Sequence, residues 1–156
     1  MVRLSQLSEL ARKSALAHPC QINDDTPWTA PSRPLREGRL ALVTTAGLHL
    51  RGDRPFVNAD TTFRVFPTDS WPQDLVQSHV SIGFDRTAIQ RDLNVVLPLD
   101  RMRELADQGA IGSLGPNVYA FMGAQRPPYD ALEASGAEAG GRLRAEGVDF
   151  VFLTGT

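Results

Sequence analysis

The chain has 156 residues, 42% of them hydrophobic, which is enough for one domain with a buried core and too little for two. Its 16 basic and 18 acidic residues give a net charge of -2, and no cluster of basic and aromatic residues marks a nucleic-acid surface, so we expect no nucleic-acid partner. No apolar stretch approaches the roughly 20 residues of a membrane span, and the single cysteine, Cys20, excludes an internal disulfide framework, so we expect a cytoplasmic protein that does not bind membranes.

The N-terminal part is predicted to contain a short helix and a connector. Leucines recur at helical spacing at positions 4, 7 and 10, which predicts an amphipathic helix over residues 3–17. Prolines at positions 27, 31 and 34 then indicate an extended connector with little regular structure. Residues 1–38 are therefore predicted to precede an α/β domain that spans residues 39–156.

The first strands of that domain follow from the apolar pattern. Residues 40–45 (LALVTT) form a continuous apolar run that ends in small polar residues, as a buried parallel strand does. Residues 62–66 alternate and are followed by Pro67, which favours a half-buried strand near a sheet edge. Residues 76–82 are a further strand candidate.

The middle of the chain carries helix signals. Asp85 is predicted to be the N-cap of a helix over residues 85–93, and the apolar run 94–98 (NVVLP) predicts a strand after it. Asp100 is predicted to be the N-cap of a second helix, which ends at Gly109.

The last third adds a strand at residues 118–122, a helix at 129–146 that ends at Gly147, and a final apolar strand at 150–153. Strands that alternate with helices predict a parallel or mostly parallel sheet. The sequence thus predicts a single three-layer α/β domain with helices on both faces of the sheet.

Three residues are candidate ligand contacts because they follow the first strand, at the edge where open α/β sheets bind ligands. Thr44, Thr45 and Gly47 could hold an anionic group with hydroxyls and backbone N–H groups, or they could form an ordinary turn. Asp53 is either a carboxylate near the same site or a turn residue. Asn94 either orients a substrate or fixes a loop.

His49 and His79 are candidate acid–base groups, because imidazole titrates near neutral pH, although lone histidines are more often structural. The three histidines show no regular ligand spacing and have no cysteine partner. We therefore expect no metal site.

Four separated segments carry a family resemblance: VTTAGLH at 43–49, DLNVVLPLDR at 92–101, IGSL at 111–114 and YAFMG at 119–123. They agree in order, and with them most of residues 39–156 resembles the selenoprotein B family of glycine, sarcosine, betaine and D-proline reductases.

The resemblance implies a position for the catalytic residue. In that family, a strand similar to residues 147–154 (GVDFVFLT) leads directly into a selenocysteine or cysteine, with a further cysteine shortly after. No such residue lies within this chain, so we expect it just after Thr156. Because UGA encodes selenocysteine, an ordinary translation would stop there, and we expect Thr156 to be an artificial end.

The resemblance also implies a function, which is reductive cleavage of a C–N bond in a small amine substrate. A companion reductase subunit or a thiol electron donor would then be a partner, and the chain alone would be inactive. Two alternatives remain open from the residues. One is a non-catalytic binding or regulatory module on the same scaffold, and the other is a thiol-dependent reductase or lyase of another substrate class.

Overall fold

The structure is a computed structural model that describes residues 3–17, 22, 24, 29–81 and 86–155. It divides into two compact units, Met1–Ala30 and Pro31–Thr156. The second unit begins at Pro31, ahead of the predicted start of the α/β domain. The predictions that concern Cys20 and Asp85 lie outside the described residues.

The first unit contains a short helix. A 3₁₀ turn at Leu4–Gln6 is followed by α1 at Glu9–Leu16, and the Ser8 hydroxyl accepts a hydrogen bond from the Ala11 N–H at 3.3 Å as its N-cap. The single helix predicted over residues 3–17 is wrong in one respect, because Leu7 has an extended backbone (ψ 151°) and separates two helical segments.

The second unit contains a five-stranded sheet, a two-stranded ribbon and three α-helices among the described residues. In chain order the elements are β1 (Arg39–Thr44), β2 (Leu48–Leu50), β3 (Phe63–Pro67), β4 (Leu75–Gln77), α2 (Thr87–Arg91), α3 (Leu99–Asp107), β5 (Ser113–Leu114), β6 (Asn117–Phe121), α4 (Asp130–Ala145) and β7 (Phe150–Thr154). Short 3₁₀ turns lie at Leu35–Glu37, Pro72–Asp74 and Leu93–Val95.

Strand β1 is the centre of the sheet. It pairs in parallel with β7 along one side, from Leu40 opposite Phe150 to Thr44 opposite Thr154. Strands β5 and β6 follow one another along its other side, also in parallel. Strand β3 is antiparallel to β6 and forms the far edge, while β2 and β4 pair only with each other.

The alternation of side chains along β1 creates two cores, one on each face of the sheet. Leu40 and Leu42 face a cluster that includes Ile89 of α2 and Met102 of α3. Ala41, one residue out of phase, belongs to the other cluster together with residues of α4. The prediction of an α/β fold with a mostly parallel sheet and helices on both faces is confirmed.

Two predictions for residues 94–100 are wrong, and a different local hydrogen bond accompanies each of them. The Asp92 carboxylate accepts a hydrogen bond from the Asn94 N–H at 2.9 Å, which favours a 3₁₀ turn at Leu93–Val95 instead of a strand. The N-cap of α3 is Pro98, while Asp100 lies in the first turn and donates its backbone N–H to Asn94 Oδ1 at 3.1 Å.

The remaining elements are close to the predictions. The strand candidate at residues 76–82 is shorter and earlier, as β4, and the helix predicted from residue 85 begins at Thr87 among the described residues. The predicted final helix and strand correspond to α4 and β7, and the turn between them needs Gly147 because its φ is +70°.

Candidate active site at the carboxyl edge of the sheet

Backbone hydrogen bonds tie the carboxyl ends of β1, β6 and β7 together. The Thr45 N–H donates to the Thr154 carbonyl at 3.0 Å, and the Gly123 N–H donates to the Thr45 carbonyl at 2.8 Å. The carboxyl edge is where open parallel sheets place their ligand sites. Thr45 therefore lies between the ends of the two strands that neighbour β1.

The hydroxyl of Thr44 is used inside the protein. It is fully buried, donates to the Val96 carbonyl at 3.0 Å and accepts a hydrogen bond from the Ala46 N–H at 3.2 Å. The Thr154 hydroxyl donates to the same Val96 carbonyl at 2.8 Å. Sequence reasoning did not single out Thr154, although it ends its strand as Thr44 ends β1.

Gly47 has a backbone role at the start of β2. Its φ is +65°, and a Cβ at this position would lie 3.0 Å from the His79 backbone nitrogen, so no other residue fits without strain. The Gly47 N–H donates to the Phe121 carbonyl at 2.9 Å, and its carbonyl accepts from the Ser78 N–H at 3.0 Å. Thr44, Thr45 and Gly47 are thus brought together by backbone hydrogen bonds around the carboxyl edge.

A cavity of about 640 Å³ opens between α4 and β7, and we call it the apolar groove. It extends to Gly155 at the carboxyl edge. Thr45 and Gln125 provide its polar side chains among the described lining residues. Its apolar lining includes Val43, Phe121, Leu132, Ala139, Leu143 and Leu153.

A second cavity, of about 650 Å³, adjoins the groove, and we call it the polar cavity. Ala124 and Gln125 line both cavities, and the Ala124 φ of +57° turns the chain between them. The side chains that make the second cavity polar are Asn58, Thr61, Ser81, Gln125 and Arg126. The sequence analysis gave residues 125–128 no role.

The two candidate histidines are buried beside this region and line neither cavity. Burial lowers the pKa of His79, and the nearby Arg86 charge lowers that pKa further. The His79 Nδ1 accepts a hydrogen bond from the Ser81 N–H at 3.2 Å, which assigns the proton of the neutral ring to Nε2. The His49 Nδ1 lies 2.7 Å from the Leu50 carbonyl and therefore donates to it.

The structure places Asp53 and Asn94 away from both cavities. Asp53 accepts a hydrogen bond from the Leu50 N–H at 3.3 Å and lines a separate cavity of about 430 Å³ next to Arg54. The Asn94 amide nitrogen donates to the carboxylates of Asp92 and Asp100, both at 2.9 Å, which fixes the loop before α3. Neither side chain joins Thr44, Thr45 and Gly47.

A buried ion pair that sequence reasoning missed supports the wall of the polar cavity. Arg64 Nη2 lies 2.9 Å from Asp60 Oδ2, and the two side chains are only 11% and 4% exposed. Burial acts to raise the pKa of Asp60, but hydrogen bonds from Thr62 and then the Arg64 interactions outweigh it, so the pKa lies below its ordinary value of 3.8. A spacing of four residues that runs from a loop into a strand gives no sequence signal for this pair.

No group of three or more His, Cys, Asp or Glu side chains in the described parts of the chain is arranged to hold a metal ion. Within the same parts, no helix is both long and apolar enough to span a membrane.

Comparison with known proteins identifies the family. The family model for the glycine/sarcosine/betaine reductase selenoprotein B matches residues 13–156. The chain belongs to this family. The resemblance carried by the four sequence segments is confirmed, and the family is one of reductases.

The chain is similar to subunits of three kinds of reductase. The chain is 38% identical over 128 residues to the D-proline reductase subunit gamma of Acetoanaerobium sticklandii. This match covers 81% of the chain and 52% of the relative. It is 27% identical over 143 residues to the sarcosine reductase complex component B subunit beta of Peptoclostridium acidaminophilum. It is 29% identical over 143 residues to the glycine reductase complex component B subunit gamma of Symbiobacterium thermophilum. Each of these two matches covers 89% of the chain and 33% of the relative.

The chain therefore spans between one third and about half the length of these relatives. No solved structure matches it significantly.

Proposed function

We propose that this chain supplies the substrate-facing sheet edge of a selenoprotein B-type subunit that cleaves a C–N bond in a small amine reductively. The observation that carries the proposal is the apolar groove, which ends at Gly155 beside the tied carboxyl ends of β1 and β7. A residue that follows Thr156 would start at this edge. The family membership and the relatives' names support a reductase.

The proposed reactive residue is a selenocysteine or cysteine directly after Thr156. Its anion would displace the amine from carbon, so that the C–N bond breaks, the amine leaves and a Se–C or S–C bond forms. A thiol donor would then attack that selenium or sulfur, the bond to carbon would break, carbon would take a proton, and the thiol would be oxidised to a selenenyl sulfide or disulfide. The residues of this chain would hold the reactive residue in place, because the Thr154 hydroxyl and the Thr45 N–H fix the end of β7. The apolar groove would exclude water from the apolar part of the substrate.

Companion subunits are part of the proposal, because the relatives are named as subunits and complex components. The proposed substrate class is that of the relatives' names, small amino acids such as D-proline, glycine or sarcosine. We place the protein in the cytoplasm, since a selenolate or thiolate donor system needs a reducing compartment.

The test is to read the gene through the codon after Thr156 and for about thirty codons beyond it, enough to hold the next helix and a second cysteine. The proposal expects an in-frame UGA or a cysteine codon, then a continuing frame with a nearby cysteine. Replacing that codon by a serine codon should abolish reductase activity of the extended protein in the assembled complex. A UAA or UAG codon with no continuing frame would contradict the proposal and favour a binding module.

A further inference from the structure

The wall of the apolar groove that β7 provides is largely exposed. Val151 and Leu153 line the groove and are 44% and 72% exposed. They pair laterally with Ala41 and Val43 of β1, and paired residues of neighbouring strands point to the same face of a sheet. Because Ala41 packs in the same cluster as residues of α4, Val151 and Leu153 lie on the α4 face. A parallel strand normally has both faces covered, so this face of β7 has room for a further element.

The opposite wall of the groove, on α4, is flat. Gly136 and Gly140 line it four residues apart, and a Cβ at either position would meet no atom of another part of the chain within 4 Å. Alanine would therefore fit at both positions and would favour the helix more than glycine does. The two glycines leave space for another backbone to lie close to α4.

The length and chemistry of the groove fit an α-helix. Its α4 wall extends from Leu132 to Leu143, which is about 16 Å at the helical rise per residue. No charged side chain lines it among the described residues. An apolar groove of this kind accepts the apolar stripe of an amphipathic helix.

The handedness of parallel connections indicates which helix this is. Strands β6 and β7 lie on opposite sides of β1, and α4 is the crossover between them. Such crossovers are right-handed in about 98% of cases. A further parallel strand at the free edge of β7 would continue across the sheet in the same direction. Its crossover helix would therefore lie on the same face as α4, which is the face with the open groove.

We propose that the polypeptide that follows Thr156 forms an α-helix that packs in the apolar groove beside α4 and leads to a parallel strand on the free edge of β7. This inference rests on the proposed function in one respect, because it takes the chain to continue past Thr156. The match to the D-proline reductase subunit covers 52% of that relative, so about half of the relative's length lies outside it.

The proposed helix and the substrate occupy different parts of the groove. Helix α4 begins after the carboxyl end of β6 and leads to the start of β7 at the opposite edge, so Gly136 and Gly140 lie further from the carboxyl edge than Leu132 does. The helix packs along this deeper part. Thr45 and Gly155 remain at the carboxyl end, and the helix closes that end against water from one side.

Thiol labelling tests whether the groove is covered. Val151→Cys is compared with Val95→Cys, a matched control at a 58% exposed valine in the 3₁₀ turn before α3. Both are made in a background in which Cys20 and any cysteine or selenocysteine after Thr156 are serine. In dilute 156-residue chain, a maleimide should label both positions readily. In the protein extended by the frame beyond Thr156, labelling should slow roughly tenfold or more at Val151→Cys and stay unchanged at Val95→Cys.

A pair of glycine variants gives a second measure. Gly140 lines the groove, whereas its neighbour Gly141 does not, and a Cβ at either meets no atom of another part of the chain within 4 Å. In the 156-residue chain, Gly140→Leu and Gly141→Leu should both raise the urea midpoint, because leucine favours a helix. In the extended protein, Gly140→Leu should lower the midpoint, because the proposed helix fills that space, while Gly141→Leu should still raise it.

The inference is overturned if Val151→Cys is labelled equally fast in the two proteins, or if Gly140→Leu raises the urea midpoint of both. Protection in the extended protein that is lost on dilution would also overturn it, because a second copy would then cover the groove.

The labelled proteins carry serine at the proposed reactive position, so the result does not depend on reductase activity. A frame that continues without a cysteine or selenocysteine would contradict only the proposed function. A gene with no continuing frame would contradict both.

Discussion

The two outer strands of the sheet, β3 and β7, differ in how their edges are protected. Strand β3 is antiparallel to its neighbour, ends at Pro67 and carries Arg64 in a buried ion pair. Strand β7 is parallel to β1, contains no charged side chain and leaves Leu153 72% exposed. Proline and inward-pointing charge are common protections for sheet edges, whereas an open apolar edge favours association.

Within this chain, the exposure of the two strands differs in a way that their composition alone does not report. Strand β7 has the apolar sequence of a strand buried on both faces, yet Val151, Phe152 and Leu153 are all exposed. Strand β3 looks like an edge strand in the sequence and is one. A polar network stabilises one side of the sheet, and apolar pairing with β1 holds the other.

The largest expected effect on stability comes from breaking the β3 network, by which we mean the Asp60–Arg64 ion pair and the hydrogen bonds of Thr62 to Asp60. Asp60→Asn leaves Arg64 buried without a counter-charge, and removal of one partner of a buried pair costs about 3–5 kcal/mol. Urea unfolding monitored by circular dichroism measures the loss of unfolding free energy. The control is Glu104→Gln, which breaks an exposed pair with Arg101 and should cost less than about 1 kcal/mol. Equal losses in the two variants would contradict a special role for the β3 network.

A pair of threonine variants compares the two residues that face each other at the carboxyl end of the β1–β7 ladder. Thr44→Val leaves the buried Ala46 N–H without its acceptor and should cost about 1–3 kcal/mol of unfolding free energy. Thr154→Val should cost less, about 0.5–1.5 kcal/mol, because the Val96 carbonyl keeps the Thr44 donor. The same urea titration ranks the two, and a larger loss for Thr154→Val would reverse this assignment.

The β3 network should also make the unfolding free energy depend on pH in the acidic range. The pKa of Asp60 is lower in the folded state than its ordinary value of 3.8, so the unfolded chain binds its proton first as pH falls. The Asp60 contribution is therefore complete above pH 3.8 and is lost as pH falls through the folded-state pKa. Unfolding free energy measured across this range should decline less steeply in Asp60→Asn than in wild-type protein. Parallel curves would show that the carboxylate contributes nothing to the acid dependence.

The smallest effect on stability is expected at the open edge. Leu153→Lys replaces a 72% exposed side chain and should change the unfolding free energy by within about 0.5 kcal/mol. It should nevertheless reduce self-association at high concentration, because it places a charge on an apolar edge. Size-exclusion chromatography with light scattering measures this, and Val95→Lys, at a 58% exposed position before α3, is the control for added charge elsewhere. If both lysine variants behave alike, the edge of β7 does not drive association.

The elements that were predicted correctly have strong local signals. Strands β1, β6 and β7 are apolar runs with turn residues at their ends, and α4 is followed by a glycine with positive φ. Residues 94–98 have a similar apolar composition, but the Asp92 carboxylate competes for the backbone and produces a turn. That competition cannot be seen from hydrophobic pattern alone.

The candidate site was predictable only where it follows strand ends. Thr44, Thr45 and Gly47 could be placed because the carboxyl end of a parallel strand is a known ligand position. Gln125 could not, because its orientation depends on the Asp60 carbonyl, 65 residues away in the chain. A residue in an irregular loop gains its role from tertiary contacts that no periodicity reports.

The shared acceptor at Val96 has a mechanical consequence. Two hydroxyls, from Thr44 and Thr154, donate to one carbonyl oxygen, and this oxygen belongs to the short segment that leads into α3. A shift of that segment changes both hydrogen bonds together, so it is felt at the ends of β1 and β7 alike. The carbon-13 chemical shift of this single carbonyl would therefore serve as a gauge of how tightly the edge is held while a ligand enters or leaves.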